Sequence, residues 1–308
     1  MAGSGGYFSG SYKPEELAKK TRDAEDETDG AEFKTKVEKY LAEQLAEFNN
    51  RDVDGTKKVL DQVSKDLDAS AEIEGAVDLL FGGSVQKRTY VDGLSDVDAL
   101  VLFHRDDIAK KTPDNLKKLL GDMLSSRYGK DSVYVGNLAV TLNHDGKVIQ
   151  LVPAVREGDR FKIATSNGRN WSTINPSKFA AALTKANKGM DNKLVPCIKL
   201  AKAIIGTLPD QRQITGYHAE SLAIKIFRDY RREKTPRSIL HHFFEQAAIH
   251  VRQPIKDSSG QSVHVDGYMG DADSLQRRIV ADSFGRIARR MKNADGARSM
   301  QQWQELFE

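Results

Sequence analysis

The chain has 308 residues, of which 39% are hydrophobic and 30% charged, and its 47 Lys and Arg stand against 44 Asp and Glu for a net charge of +3. That length supports a sizeable core in two domains or two closely packed lobes, and the near balance of charge excludes a whole-molecule platform for long nucleic acid while leaving room for local basic patches. No run approaches the ~20 apolar residues of a membrane span, no basic-then-apolar leader opens the sequence, and the single cysteine, Cys197, excludes a disulfide framework and a cysteine metal site, so a reducing cytoplasm is the expected setting.

Residues 1–31 begin with small residues (Ala2-Gly3-Ser4-Gly5-Gly6) and turn acidic (Asp23, Glu25, Asp26, Glu27, Asp29). A stretch so poor in apolar residues is expected to be a flexible arm anchored only by Tyr7, Phe8 and Tyr12. From Glu32 to about Asn50 the positions Phe33, Val37, Tyr40, Leu41, Leu45 and Phe48 recur at three and four, which predicts an amphipathic helix. A second helix is expected from about Asp54, burying Val59, Leu60, Val63 and Leu67.

The stretch from Val77 to Phe103 carries the chemistry. An apolar run (Val77, Leu79, Leu80, Phe81) breaks at Gly82-Gly83-Ser84, and Asp96-Val97-Asp98 leads into Ala99-Leu100-Val101-Leu102-Phe103. This reads as strand, turn, helix start, strand. Alternate side chains of an extended chain share a face, so Asp96 and Asp98 project together, and two such carboxylates call for a hard cation such as Mg²⁺ or Mn²⁺. Gly82 and Gly83 let backbone N–H groups approach a phosphate, and the Ser84 hydroxyl adds a donor. A D-x-D or a G-G-S alone is more often structural; the two together, eleven residues apart, point to nucleoside triphosphate chemistry.

A helix near Thr112 to Ser125, opened by Thr112-Pro113-Asp114, carries Leu116, Leu119, Leu120 and Met123. Strands follow at Val133–Val135 and Leu138–Leu142, then a turn at Asn143-His144-Asp145-Gly146, then a strand from Val148 to Val155. Beyond Val155 the sequence reads as largely helical: Trp171 to Pro176 as a capped helix start before Phe179, Ala182 and Leu183, then a buried helix from about Asn192 with Leu194, Ile198, Leu200, Ala201 and Ile205. Lys199 and Lys202 share one flank of that helix, by default a solvated one. Gly216-Tyr217-His218-Ala219-Glu220 opens another helix, with His218 expected to be hydrogen-bonded and structural. The basic run Arg228, Arg231, Arg232, Lys234 and Arg237 is either a nucleic-acid groove or a solvated loop. A polar loop from Pro254 to Gly270 precedes a long helix from about Ser274, and the chain finishes on Trp303, Leu306 and Phe307.

The pairing of Gly82-Gly83-Ser84 with Asp96-x-Asp98 closely resembles the signature of polymerase β-like nucleotidyltransferases. The full order of parts, with Gln150-Leu151-Val152-Pro153-Ala154, Trp171–Pro176, the Lys199/Lys202 helix, Tyr217-His218-x-Glu220 and Pro254-Ile255-x-Asp257, resembles the bacterial CD-NTases, relatives of cyclic GMP-AMP synthase and oligoadenylate synthetase. The resemblance spans roughly residues 35 to 295. It implies an α+β fold: a nucleotidyltransferase core of mixed sheet and bracing helices at 32–165, and a helical lobe at 166–308 closing the nucleotide cleft. It also implies a template-independent nucleotidyltransferase that joins NTPs or dNTPs into a short cyclic or linear oligonucleotide signal in anti-phage defence, with an effector protein responding to the product. By position, Gly82, Gly83 and Ser84 would hold the triphosphate, Asp96 and Asp98 the Mg²⁺ or Mn²⁺, and Lys202, ahead of Lys199, would reach the β- and γ-phosphates.

One position departs from the family. The third metal ligand and base is usually a carboxylate before apolar-apolar-Pro-Ala, and here Gln150 stands there. An amide oxygen ligates but carries no charge and is a very poor base. Three readings stay open: a weakly held nucleophile-side metal, a carboxylate from elsewhere (Asp145, Glu72 or Glu74), or a nucleotide-binding regulator that keeps the fold without the chemistry. A tRNA-directed or toxin-type nucleotidyltransferase fits the helical half less well.

Overall fold

The structure, a computed structural model, describes residues 14–49, 53–69, 77–81, 97–104, 110–165, 168–256 and 265–308. Gly82, Gly83, Ser84, Asp96, Glu72, Glu74, Tyr7, Phe8 and Tyr12 lie outside the described residues, and Asp98 is described by its backbone.

The first helix, α1 (Pro14–Asn49), starts well before the expected Glu32, so residues 14–31 are helical and not an irregular arm. Propensity prevails over charge here: residues 15–29 are mostly Glu, Ala, Lys, Asp and Arg with no Gly or Pro, a composition that favours helix even without a face to bury. Arg298 ties this turn of α1 to the rest of the protein, donating to the Asp26 carbonyl at 2.8 Å and lying 3.7 Å from the Asp29 carboxylate. Burial begins further along, at Phe33, Val37 and Leu41. Helix α2 (Val53–Asp68) sits where the periodicity predicts and buries Val59, Leu60, Val63 and Leu67.

Among the described residues the sheet is mixed and has seven strands, β1 (Val77–Phe81), β2 (Val97–Phe103), β3 (Val133–Val135), β4 (Val140–His144), β5 (Lys147–Glu157), β6 (Arg160–Ala164) and β7 (Trp171–Ile174). Its main path runs β1-β2-β5-β4-β3, with β2 and β5 parallel and the other neighbours antiparallel. The β4–β5 turn is the Asp145-Gly146 pair, with φ of 49° and 70°, two left-handed residues as a two-residue type I′ hairpin requires. Helix α3 (Pro113–Tyr128), capped by Thr112, covers one face together with α2.

The chain does not turn helical at Val155. Strands β6 and β7 extend the sheet past residue 165, β6 pairing with β5 and β7 with β6. The expected cap holds, since the Asn175 side chain accepts from Lys178 N–H at 3.0 Å and Pro176 opens α4 (Pro176–Gly189). The residues before it, Trp171 to Ile174, are a strand. They are β-prone, and Trp171 packs on one face of the sheet while Ile174 packs on the other. So short an alternation, placed directly before a helix cap, is easily absorbed into the helix when read as sequence.

From there the described residues are helical: α5 (Leu194–Gly206), α6 (Gly216–Ile226), α7 (Pro236–His250), α8 (Leu275–Gly296) and α9 (Met300–Gln304). With α1 they enclose the largest core, in which Leu200, Leu222, Phe244, Phe284 and Trp303 are completely buried. Two smaller cores flank the sheet. One lies under α2 and α3; the other, built on Leu100, Leu102 and Ala154, occupies part of the opposite face.

Candidate functional site

The parallel register between β2 and β5 sets Asp98 opposite Gln150. The hairpin continues the row, with Gln150 opposite Thr141 on β4 and Thr141 opposite Tyr134 on β3. Four backbone positions, Asp98, Gln150, Thr141 and Tyr134, therefore cross the sheet in one line. On both sides of this line the partners Val133, Leu142 and Ile149, and Val135, Val140 and Leu151, point to the face covered by α2 and α3. By the two-residue alternation of strands, Gln150, Thr141 and Tyr134 point to the other face. There the apolar cluster of Leu100, Leu102, Val152 and Ala154 gives way to a polar row.

Thus the departing residue of the family pattern occupies the position directly beside the described half of the carboxylate pair. The described side chains along the row offer oxygen donors, the Gln150 amide and the Thr141 hydroxyl, beside the backbone position of Asp98. Such a set suits a hard divalent cation, although the amide adds no charge to hold it. Asp145 does not join the row. It sits in the β4–β5 turn at φ 49°, exposed, two positions beyond the register partner of Val148. Among the described residues no three His, Cys, Asp or Glu groups gather in a metal site.

Lys199 and Lys202 are not on a solvated flank: each is only 7% exposed. Lys202 Nζ donates to Glu220 Oε1 at 2.8 Å, joining α5 to the first turns of α6. Gly216, the first residue of α6, makes room for it; a Cβ there would stand 3.0 Å from Nζ. The sequence reading singled out both Lys202 and Glu220 without pairing them. An apolar helix that carries a lysine on its buried side was the available signal, because such a lysine requires a carboxylate.

His218 is completely buried, its Nδ1 3.0 Å from the Tyr268 hydroxyl, which accepts from Thr215 N–H at 3.1 Å. Burial lowers its pKa to about 4, with Arg277 adding to the fall and Asp266 opposing it. The expected hydrogen bond is present on Nδ1, while the buried Nε2 has no hydrogen-bond partner among the described residues. Arg277, also 0% exposed, organises the loop around it. It donates to the carbonyls of Gly270, Asp271, Val251 and Gln253 and to Asp266 Oδ2 at 2.9 Å, and Asp266 Oδ2 also accepts from Ile255 N–H at 2.8 Å.

Much of the basic run after α6 is engaged with the protein itself. Lys234 donates to the Gly189 carbonyl at 3.0 Å and pairs with Asp191, Arg237 pairs with Asp295, and Arg232 lies 3.9 Å from Glu245. An open hollow of about 300 Å³ remains beside Lys225, Arg231, Arg232 and His242.

Comparison with known proteins places these features in a group. The profile of the Second Messenger Oligonucleotide or Dinucleotide Synthetase domain matches residues 34–187, half of the chain. No curated protein matches in sequence. Among solved structures, CdnC of Escherichia coli MS115-1 with ATP superposes with a TM-score of 0.63 at 16% identity, over 88% of this chain and 96% of that one. The CD-NTase CdnG of Bradyrhizobium diazoefficiens, in complex with GTP, gives 0.65 at 12% identity, over 82% and 87%. The cyclic AMP-GMP synthase DncV of Vibrio cholerae, with nonhydrolyzable GTP, gives 0.59 at 10% identity, over 96% and 90%. At such identities the structural likeness speaks for the fold.

Proposed function

The chain belongs to the Second Messenger Oligonucleotide or Dinucleotide Synthetase family of nucleotidyltransferases, and we propose that it joins nucleoside triphosphates into a short oligonucleotide signal through the row that starts at Asp98. The observation that supports the reading is the parallel pairing of Asp98 with Gln150, neighbours in the sheet as a shared site on these two residues would require. Asp96 and Asp98 would hold divalent metal, with the Gln150 oxygen as a neutral third donor. Gly82, Gly83 and Ser84 would cradle the triphosphate. Lys202, set beside the first turn of α6 by Glu220, would face the β- and γ-phosphates, with Lys199 behind it on α5.

The reaction is in-line attack of a ribose hydroxyl on the α-phosphate of a second nucleotide. A new P–O bond forms, the bond between the α-phosphorus and the bridging oxygen breaks, and pyrophosphate leaves. A bound Mg²⁺ or Mn²⁺ would supply charge neutralisation for this step. The amide of Gln150 is too weak a base to take the hydroxyl proton, which would pass to water, to a phosphate oxygen or to a carboxylate from another part of the chain. The amide can still orient the hydroxyl by hydrogen bonding. Slow catalysis is the expected result, with product acting on an effector protein in anti-phage defence. Among the described residues no helix is long and apolar enough to cross a membrane.

Gln150 also supports a second reading, a regulator that binds nucleotides without joining them. The deciding experiment incubates the protein with each radiolabelled NTP and dNTP, with Mg²⁺ or Mn²⁺, beside the Asp96→Ala/Asp98→Ala variant. Product that vanishes in the variant supports the synthetase, and its phosphatase resistance separates cyclic from linear. Calorimetric binding without product under every nucleotide and metal supports the regulator.

A further inference from the structure

Tyr134 is the most exposed large hydrophobic residue described, at 70%, and it ends the row that begins at Asp98. We infer that its ring is the stacking platform for the base of the acceptor, the nucleotide or oligonucleotide that presents the attacking hydroxyl. The inference rests on the reading of the row as a nucleotidyl-transfer site.

Sheet order separates the two substrates. Phe81, the last residue of β1, pairs with Ala99 of β2, and in the reading above the residues that follow it in sequence, 82–84, hold the triphosphate, which assigns the donor to the β1 side of β2. Gln150, where the attacking hydroxyl belongs, lies on the other side of β2, and β4 and β3 continue in that direction. Adjacent strands are ~4.8 Å apart, which puts the Tyr134 position about 14 Å from that of Asp98. A nucleoside bridges that span once the two side chains reach inward from its ends. Thr141 and Gln150, both half-buried, form the floor between them.

The strand beneath Tyr134 is held firmly enough to serve as a platform. Val135, on the opposite face, packs so closely on Gly121 that a Cβ there would meet Val135 Cγ2 at 2.5 Å. The loop after it is closed by Gly136 N–H to the Ala139 carbonyl at 2.8 Å and by Lys117 Nζ to the Asn137 carbonyl at 2.7 Å. An exposed aromatic ring on a strand paired into the sheet stacks any base with little sequence preference, as single-strand binding sites do.

The test separates acceptor from donor. The full chain is given ApA, CpC, GpG or UpU as acceptor and a 3′-deoxynucleoside triphosphate as donor, which can be transferred once but not extended. Tyr134→Ala should raise the acceptor KM about tenfold with the donor KM unchanged, the loss expected for one base stack. Tyr134→Phe should retain the original value. An unchanged acceptor KM in Tyr134→Ala overturns the inference, as does an equal loss in Tyr134→Phe, which would assign the role to the hydroxyl. A shifted gel-filtration volume in Tyr134→Ala with unchanged acceptor KM also overturns it and assigns the patch to contact between copies of the chain.

A binding arm needs no turnover. In an Asp98→Asn background, tryptophan fluorescence of Tyr134→Trp should be quenched by the same dinucleotides beyond the change seen with Trp171 and Trp303 alone. Absence of that extra quenching overturns the inference. If Asp98→Asn still forms product at the original rate, the reading of the site itself fails, and the quenching still decides whether Tyr134 meets a base.

Discussion

Arg277, in the helical core, and Gln150, in the middle of the sheet, are both polar residues on regular elements, and their surroundings are opposite. Arg277 is fully buried, and its guanidinium is spent on one carboxylate and on carbonyls of the 251–271 loop. Gln150 is half-buried in a row whose neighbours are a carboxylate strand position, a hydroxyl and an exposed ring. The first arrangement satisfies the carbonyls of Val251, Gln253, Gly270 and Asp271, because buried carbonyls outside a regular ladder need donors. The second sets the Gln150 and Thr141 side chains on the sheet face away from α2 and α3, on strands whose backbone the ladder already pairs. Substitutions at the two places should therefore fail differently, one in stability and one in reaction.

The largest effect is expected at Arg277. Arg277→Ala strands the buried Asp266 charge and several carbonyls at once, and should lower stability by ~3–5 kcal/mol in urea titration. A loss below about 1 kcal/mol would mean that water enters the loop and replaces the guanidinium, and the contrast with Gln150 would collapse.

His218 comes next, and its effect depends on pH. Its folded pKa of about 4 lies below the ordinary 6.5, because burial penalises the imidazolium. Below pH 6.5 the unfolded chain takes up a proton that the folded chain refuses until about pH 4. Stability is therefore complete above pH 6.5 and falls as the pH drops toward 4, by about 3 kcal/mol at the low end. His218→Gln should flatten this segment of the stability–pH curve. An unchanged slope would assign it to carboxylates instead.

These differences bear on what could be read in the sequence. The helices were legible because their apolar spacing is long: α2, α3, α5 and α8 lie where periodicity predicts, α3 opened by Thr112-Pro113-Asp114. The Gln150–Thr141 pair was legible too, since a two-residue Asp145-Gly146 turn fixes the register of both strands. Tyr134 was not, because the turn between Val135 and Val140 carries no comparable signal. Strands β6 and β7 were hidden by brevity, and Lys202 by a rule about lysines that holds only for faces in contact with water. Arg277 and Asp266 pair across a loop whose course no local propensity describes. The Gly82–Ser84 turn and Asp96 carried the functional reading in the sequence and lie outside the described residues.

The smallest change in stability should come from Gln150→Asp, and it bears most directly on function. Without metal, the new carboxylate would stand across the ladder from Asp98, and like charges directly opposite cost up to about 1 kcal/mol. Added Mg²⁺ should remove that cost and raise the midpoint of unfolding with concentration, because an ion that binds only the folded chain stabilises it by mass action. In the labelling assay the same variant should form product faster and at lower Mg²⁺, since it gains both a ligand and a proton acceptor for the attacking hydroxyl. A variant that gains Mg²⁺-dependent stability without gaining product would show that the row binds metal but that another part of the cleft limits the reaction. A variant that gains neither would remove β5 from the site, and with it the meaning assigned to the register of Asp98 and Gln150.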